Sequence, residues 1–122
     1  LSSFNSLLRQ AYNFITVIAP YRFVKFSANE GEVVQASAAA DLTIGVADEI
    51  GTVDAAGRIE VDEVGHAQLA IAATIAQGVE LTSDAAGRGV AAAAGNHVGA
   101  ITRQSGVSGD VVRVQVVNYF KP

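Results

Sequence analysis

The pentapeptide Asp-Ala-Ala-Gly-Arg occurs twice, at Asp54–Arg58 and at Asp84–Arg88. Both copies adjoin β-type sequence and have the chemistry of a hairpin tip. The Asp carboxylate can accept a hydrogen bond from the backbone two residues on. The two Ala residues suit a type I turn, and Gly supplies the positive φ of a bulge that restarts the strand. A chain that repeats a hairpin tip word for word is expected to be built from hairpins.

The rest of the chain fits that expectation. Thr16–Phe26 collects β-branched and aromatic residues, and Pro20 inside it marks an edge, a bulge or a break between two short strands. Asn29–Glu32 reads as a turn leading into Val33 and Val34. Leu42–Ala47 reads as a strand, with Gly45 where another backbone approaches closely. Arg58–Val64 alternates, Ile59 and Val61 to one side and Glu60 and Asp62 to the other, until Gly65-His66 breaks it. Val79–Thr82, Val98–Arg103 and Val111–Val117 are further strands, the last with Val112, Val114 and Val116 on one face.

Strands of four to seven residues between frequent turns point to an all-β fold, a small sandwich or barrel built from hairpins. If the Ala-rich runs Ala36–Ala40 and Ala91–Ala94 formed helical turns, the fold would be α+β instead. A weaker echo links Val24 through a turn and an Ala-rich spacer to Gly45, and Val79 in the same way to Gly99. It implies two related strand–hairpin–strand units, short of the three or more of a solenoid.

A chain of 122 residues is expected to form one domain. Residues 1–15 stand apart from residues 16–122, the β-rich body. Leu1, Phe4, Leu7, Leu8, Ala11, Tyr12 and Ile15 fall at helical spacing, with Ser2 or Ser3 as an N-cap. The segment is expected to be a short amphipathic helix or an extended arm. Arg9 and Asn13 interrupt it, so it lacks the unbroken apolar centre of a signal peptide.

Composition narrows the function. The formal net charge is −4, and the eight Lys and Arg residues are scattered, which disfavours nucleic acid as a partner. There is no Cys, which excludes disulfides and thiolate metal sites. No window approaches the run of about 18 apolar residues that a membrane helix needs, so no membrane partner is expected. Hydrophobic residues make up 50%, but many are Ala, so the core of a single copy is thin and oligomerisation is favoured.

No catalytic motif is present: no Gly-x-Ser-x-Gly, phosphate loop, His-Glu-x-x-His or dinucleotide fingerprint. Asp62, Glu63 and His66 are the nearest approach to a metal cluster, but alternation sends Asp62 and Glu63 to opposite faces, as on a solvated strand end. His97 sits in an expected turn with no nucleophile near it in sequence. The expectation is therefore no enzyme, no cofactor and no metal. Asp41, Asp48, Glu49, Asp54, Glu60, Asp62 and Glu63 make the middle of the chain acidic, a solvated face or a surface for a basic partner. Phe23 and Phe26 are expected in the core. Phe4, Leu7, Leu8, Tyr12, Phe14, Tyr119 and Phe120, near the termini, are the candidate contact residues.

Several stretches resemble the small capsid decoration, or cement, proteins of tailed phages. They are Ile75-Ala-Gln-Gly78 running on through Asp84-Ala-Ala-Gly87 into the second Ala-rich run, then Val98-Gly99-Ala100-Ile101, and Gly109-Asp110 followed by alternating Val to Val116. Ile44–Ala47 and Gly65–Ile71 also fit, and the resemblance spans roughly residues 16–117. The family pattern is mostly turn and strand chemistry, and the apolar residues 1–15 depart from its shorter, more polar start. The resemblance implies a β-rich structural virion protein, often a homotrimer. It would bind the major capsid protein on the outer surface of the head at three-fold or quasi-three-fold positions, without catalysis or cofactor. The alternative, from a different class, is a β-sandwich module binding carbohydrate or another surface ligand, which a groove lined with exposed aromatics would favour. A pocket gathering His66 or His97 with carboxylates would point to a hydrolase.

Overall fold

The computed structural model describes residues 6–52 and 58–122, with side chains from Leu8 onward. Nine strands and no helix are found among them: β1 (Ser6–Asn13), β2 (Phe23–Phe26), β3 (Val33–Gln35), β4 (Thr43–Ala47), β5 (Arg58–Ala70), β6 (Glu80–Ser83), β7 (Gly89–Ala91), β8 (His97–Thr102) and β9 (Val111–Phe120). The fold is all-β, with every strand pair antiparallel. The strands follow the order β3-β2-β4-β5-β9-β8-β6-β7, with β1 also paired to β5, and the sheet does not close.

Local chemistry accounts for the turns. Asp84 closes the β6–β7 tip: its Oδ1 accepts from the Ala86 and Arg88 N–H groups, both at 2.8 Å, and Gly87 has φ 77°. The matching tip at Asp54–Arg58 lies outside the described residues except for Arg58. The Ala-rich runs are turns, not helices. The Asp41 carboxylate accepts from Ser37 and Ala38 N–H, and Asn96 Oδ1 accepts from Ala93 N–H. A side chain that bonds its own backbone three or four residues away gives the chain an alternative to helix.

The two halves repeat one plan. In the first, β2 pairs with β3 and β4, and β4 with β5. In the second, β6 pairs with β7 and β8, and β8 with β9. The register matches as well: Val46 faces Asp62 as Ile101 faces Gln115, and Ala47 faces Val61 as Thr102 faces Val114. β1 extends the repeat, since Arg9 faces Asp62 as His66 on β5 faces Gln115. Each half is thus five strands, and β5 serves both.

β5 runs unbroken through Gly65-His66, where the sequence reading placed a break. Gly65 takes φ 93°, and the β1–β5 register shifts beside it, so the irregularity is a bulge inside one strand. The N-terminal segment, read as an arm or a short helix, is extended over Ser6–Asn13. Seven cross-strand pairs with β5 outweigh helical spacing whose inward stripe has no helix-shaped groove to fill.

Two clusters form the interior. Phe23, Ala36, Val46, Ala67, Leu69, Ile71, Ile75, Leu81, Ala100, Val112 and Val114 pack between the halves. Ile18, Val24, Val33, Ala47, Ile59 and Val61 pack on the other face of the N-terminal half, with Tyr12, Phe14 and Ile44 against them. Neighbours Phe23 and Val24 enter opposite clusters, as strand alternation requires. Phe26, expected in the core, is 52% exposed at the outer end of β2. The β6–β7 tip latches the halves: Phe23 N–H donates to the Gly87 carbonyl (2.8 Å), and Arg22 Nη1 to the Ala86 carbonyl (2.9 Å).

Gly45 is where two backbones meet, as the sequence implied. A Cβ there would lie 2.3 Å from the Asp62 carbonyl oxygen and 2.8 Å from Val61 Cγ1. Because the obstacle is backbone, Gly45→Ala is expected to cost about 2–3 kcal/mol, the upper range of overpacking. A lower urea midpoint with an unchanged slope is the expected reading. An unchanged midpoint would show that β4 can move off β5.

Candidate interaction surface

The contact residues named from the sequence fall into two groups. Phe4 lies outside the described residues, and Leu7 is described only as backbone within β1. Leu8, at the start of the described side chains, is exposed and sits opposite Val64 of β5, which is also exposed. Tyr12 and Phe14 turn inward and are half-buried on the second cluster. Tyr12 meets Phe26 edge to face, with ring centroids 5.6 Å apart at 81°, and its hydroxyl donates to Glu63. Burial, followed by that bond to Glu63, pushes the Tyr12 phenol up to about 12.

The second group is at the end of β9. Phe120 is 58% exposed and lies edge-on to His97, with centroids 5.1 Å apart. Tyr119 and Lys121 both donate to the Glu80 carboxylate, which lowers the Glu80 pKa, Lys121 contributing most. His97, expected in a turn, begins β8 and is buried. Its Nε2 lies 2.6 Å from Asn118 Oδ1 and its Nδ1 3.3 Å from Thr43 Oγ1. Both ring nitrogens are thus engaged in packing β8 against β4 and β9, with no carboxylate among those partners. No ring contact or hydrogen bond among the described residues joins the β1 group to the β9 group.

Sequence reasoning missed the role of Arg9. Its Nε donates to Asp62 Oδ1 (2.7 Å) and its Nη2 to Asp62 Oδ2 (3.2 Å), and its guanidinium also lies 3.9 Å from Asp48 and 3.8 Å from Glu49. Asp62 is 1% exposed and Asp48 is also buried, so Asp62 is not on a solvated strand end and neither belongs to an acidic solvated face. Those bonds to Asp62, partly opposed by burial, raise the Arg9 pKa. A bidentate fork at one register position fixes where β1 lies on β5. Asp62, Glu63 and His66 do not assemble a metal site: no group of three or more His, Asp or Glu able to hold an ion exists among the described residues.

An open groove of about 510 Å³ lies beside the first group. Tyr12 and Phe26 line it together with the β2–β3 turn, Ser27–Gly31. Phe26 is about half exposed there, and Ser27, Asn29 and Glu30 supply polar groups around it. Neither histidine contributes to it.

The Tyr12 environment has a consequence at high pH. A phenol with a folded pKa raised above its ordinary 10 stabilises the fold fully below pH 10, and that contribution is lost as pH rises through about 12. Melting temperature is expected to fall over that window. Tyr12→Phe should flatten the fall and diminish the late component of the tyrosinate absorbance titration, to which Tyr119, raised by its bond to Glu80, also contributes. An unchanged profile in that variant would place the effect elsewhere.

No family model and no curated protein matches this chain. Among solved structures, it is similar to the head fiber gp8.5 N base of bacteriophage phi29. The likeness covers 90% of this chain and 93% of that one, with a TM-score of 0.64 and 14% sequence identity. At that identity the likeness is one of fold alone.

Proposed function

We propose that this chain is a structural virion protein that attaches to the outer surface of an assembled tailed-phage head, as a trimer, and stabilises it. The observation that carries this reading is the fold shared, over nine-tenths of both chains, with the head fiber base. The resemblance of the strand and turn sequences to capsid decoration proteins supports it independently. The reading assigns the chain no catalytic step and no cofactor. Its partners are the major capsid protein and further copies of itself.

The physics suits the task. A ligand that binds the assembled shell and not its separated subunits stabilises the shell by mass action. Weak contacts repeated over a lattice reinforce one another when the sites are held at matching spacing. The body must be stiff for this, and two half-sheets sharing one strand provide a stiff body. Leu8 with Val64, and Tyr119 with Phe120, are among the exposed apolar groups and are the ones assigned to contact. Tyr12 and Phe14 brace the sheet beneath instead.

Co-sedimentation with emptied heads stripped of this protein tests the reading. Saturable binding at a fixed copy number is expected, with Leu8→Asp and Phe120→Asp each weakening it about tenfold or more, the range of a modest interface hot spot. Point changes are preferable to removing β1, which would take Arg9 away from the buried Asp62. A well-folded protein that ignores the heads would overturn the assignment.

The groove at Phe26 favours one other reading, a module that binds a neutral carbohydrate by stacking a sugar ring on Phe26. Titration with an oligosaccharide panel, followed by tyrosine fluorescence, distinguishes the two. Saturable binding abolished in Phe26→Ala would favour the module, and no binding by a head-binding protein would dispose of it.

A further inference from the structure

The repeat between the halves inverts charge at one position. In the N-terminal half, Asp48 N–H donates to the Glu60 carbonyl at the end of the β4–β5 pair (3.1 Å). At the equivalent place in the C-terminal half, Arg103 N–H donates to the Arg113 carbonyl (2.8 Å). The acidic notch is occupied: Arg9 lies against Asp48, Glu49 and Asp62. The basic notch has no counterpart of that ion pair. Arg103 and Arg113 are both exposed, and neither has a carboxylate within ion-pair distance among the described residues. Arg103 donates to Gln115, the register equivalent of Asp62. With Gln104 the two arginines line a cavity of about 230 Å³.

Two arginines side by side, Arg113 on β9 and Arg103 just past the end of β8, repel each other, so folding alone does not favour them. What they make together is a pair of guanidinium donors lining one cavity, suited to a carboxylate. The acidic groups that can answer them are concentrated in the other half of the same chain. Nine of the twelve Asp and Glu residues precede Gly65. Of these, Glu30 stands exposed at the β2–β3 tip with no partner among the described residues, whereas Glu32 beside it is engaged by Ser27 and Asn29.

We propose that the Arg103–Arg113 notch of one copy receives the Glu30 carboxylate on the β2–β3 tip of a second copy, joining copies head to tail. The contact uses two different patches, so it is heterologous and forms a closed ring when the rotation between copies permits. This rests on the homo-oligomer of the proposed function and names the charged contact within it. It also gives the acidic tip and the basic notch the pairing that Arg9 already gives the notch of the first half.

Sedimentation velocity on the full chain tests it. The unaltered protein is expected to self-associate, more weakly at high salt. Arg103→Glu with Arg113→Glu is expected to weaken association at least tenfold, as is Glu30→Arg alone. Combining all three changes in one chain should restore it. All three sites are exposed, so circular dichroism and melting temperature should stay unchanged, and Arg103→Gln with Arg113→Gln provides a milder pair if the reversal perturbs folding. A monomeric unaltered protein, normal association of the arginine variants, or failure of the triple variant to recover would each overturn the proposal. Head co-sedimentation of the same proteins keeps the two readings separate. An oligomer that obeys the charge swap but ignores heads leaves this contact standing without the head assignment. A monomer that binds heads only when its arginines are intact gives the notch to a carboxylate of the shell and overturns this contact alone.

Discussion

Strand β5 is hydrogen-bonded into both halves of the molecule, and the rest of the structure depends on that sharing. Its first part pairs with β1 and β4 and its last part with β9, over thirteen residues without a break. A strand has one alternation, so a slip in either half would turn side chains in the other half to the wrong face. Gly65, at φ 93°, absorbs the one irregularity as a bulge. Ile59 and Val61 consequently enter the cluster under the N-terminal half, while Ala67 and Leu69 enter the cluster between the halves.

Polar groups then fix what apolar packing leaves loosely defined. The Arg9–Asp62 fork sets β1 at one register, and the His97 ring, held between Thr43 and Asn118, ties β8 to strands of both halves. Such bonds each contribute about 0.5–1.5 kcal/mol net, rising where a charge takes part, but a buried partner left unmade costs more. Their main effect is therefore on which arrangement forms. The Ala-rich composition is consistent with this division: small side chains permit the close approach at Gly45 and Gly87, and specific polar contacts select among close-packed alternatives.

An internally repeated fold also sets what the surface can offer. Equivalent positions in the two halves have diverged in charge and use: Asp48, buried against Arg9, answers to exposed Arg103, and Glu60 to Arg113, while the β2–β3 tip is held to β1 by Asn13 N–H on the Gly31 carbonyl and the β6–β7 tip latches the halves together. The interior equivalents stay apolar, as Val61 and Val114 show. One strand plan thus yields two halves of different charge, nine of the twelve Asp and Glu residues preceding Gly65.

The sequence by itself determined the fold class, the β6–β7 hairpin tip and the approach at Gly45, because these depend on chemistry within a few residues: an Asp that bonds its own turn, a Gly at positive φ, alternating Val. It also disclosed that the halves echo each other, since a repeated local plan leaves a repeated local pattern, although the ladders match Val24 and Gly45 to Leu81 and Ala100 and not to Val79 and Gly99. Tertiary structure alone decided that Ser6–Asn13 is a strand, because helical spacing and a seven-pair ladder with β5 compete and the ladder lies some fifty residues away in sequence. It alone placed Asp62 in the interior, since the guanidinium that makes burial tolerable arrives from β1. Phe26 was left outside for a similar reason: the end of β2 reaches past the packed region, and hydrophobicity read along the chain does not contain that boundary. The charge-inverted notch needed the register of four strands before Arg103 and Arg113 became neighbours, and no spacing along the sequence reports a register.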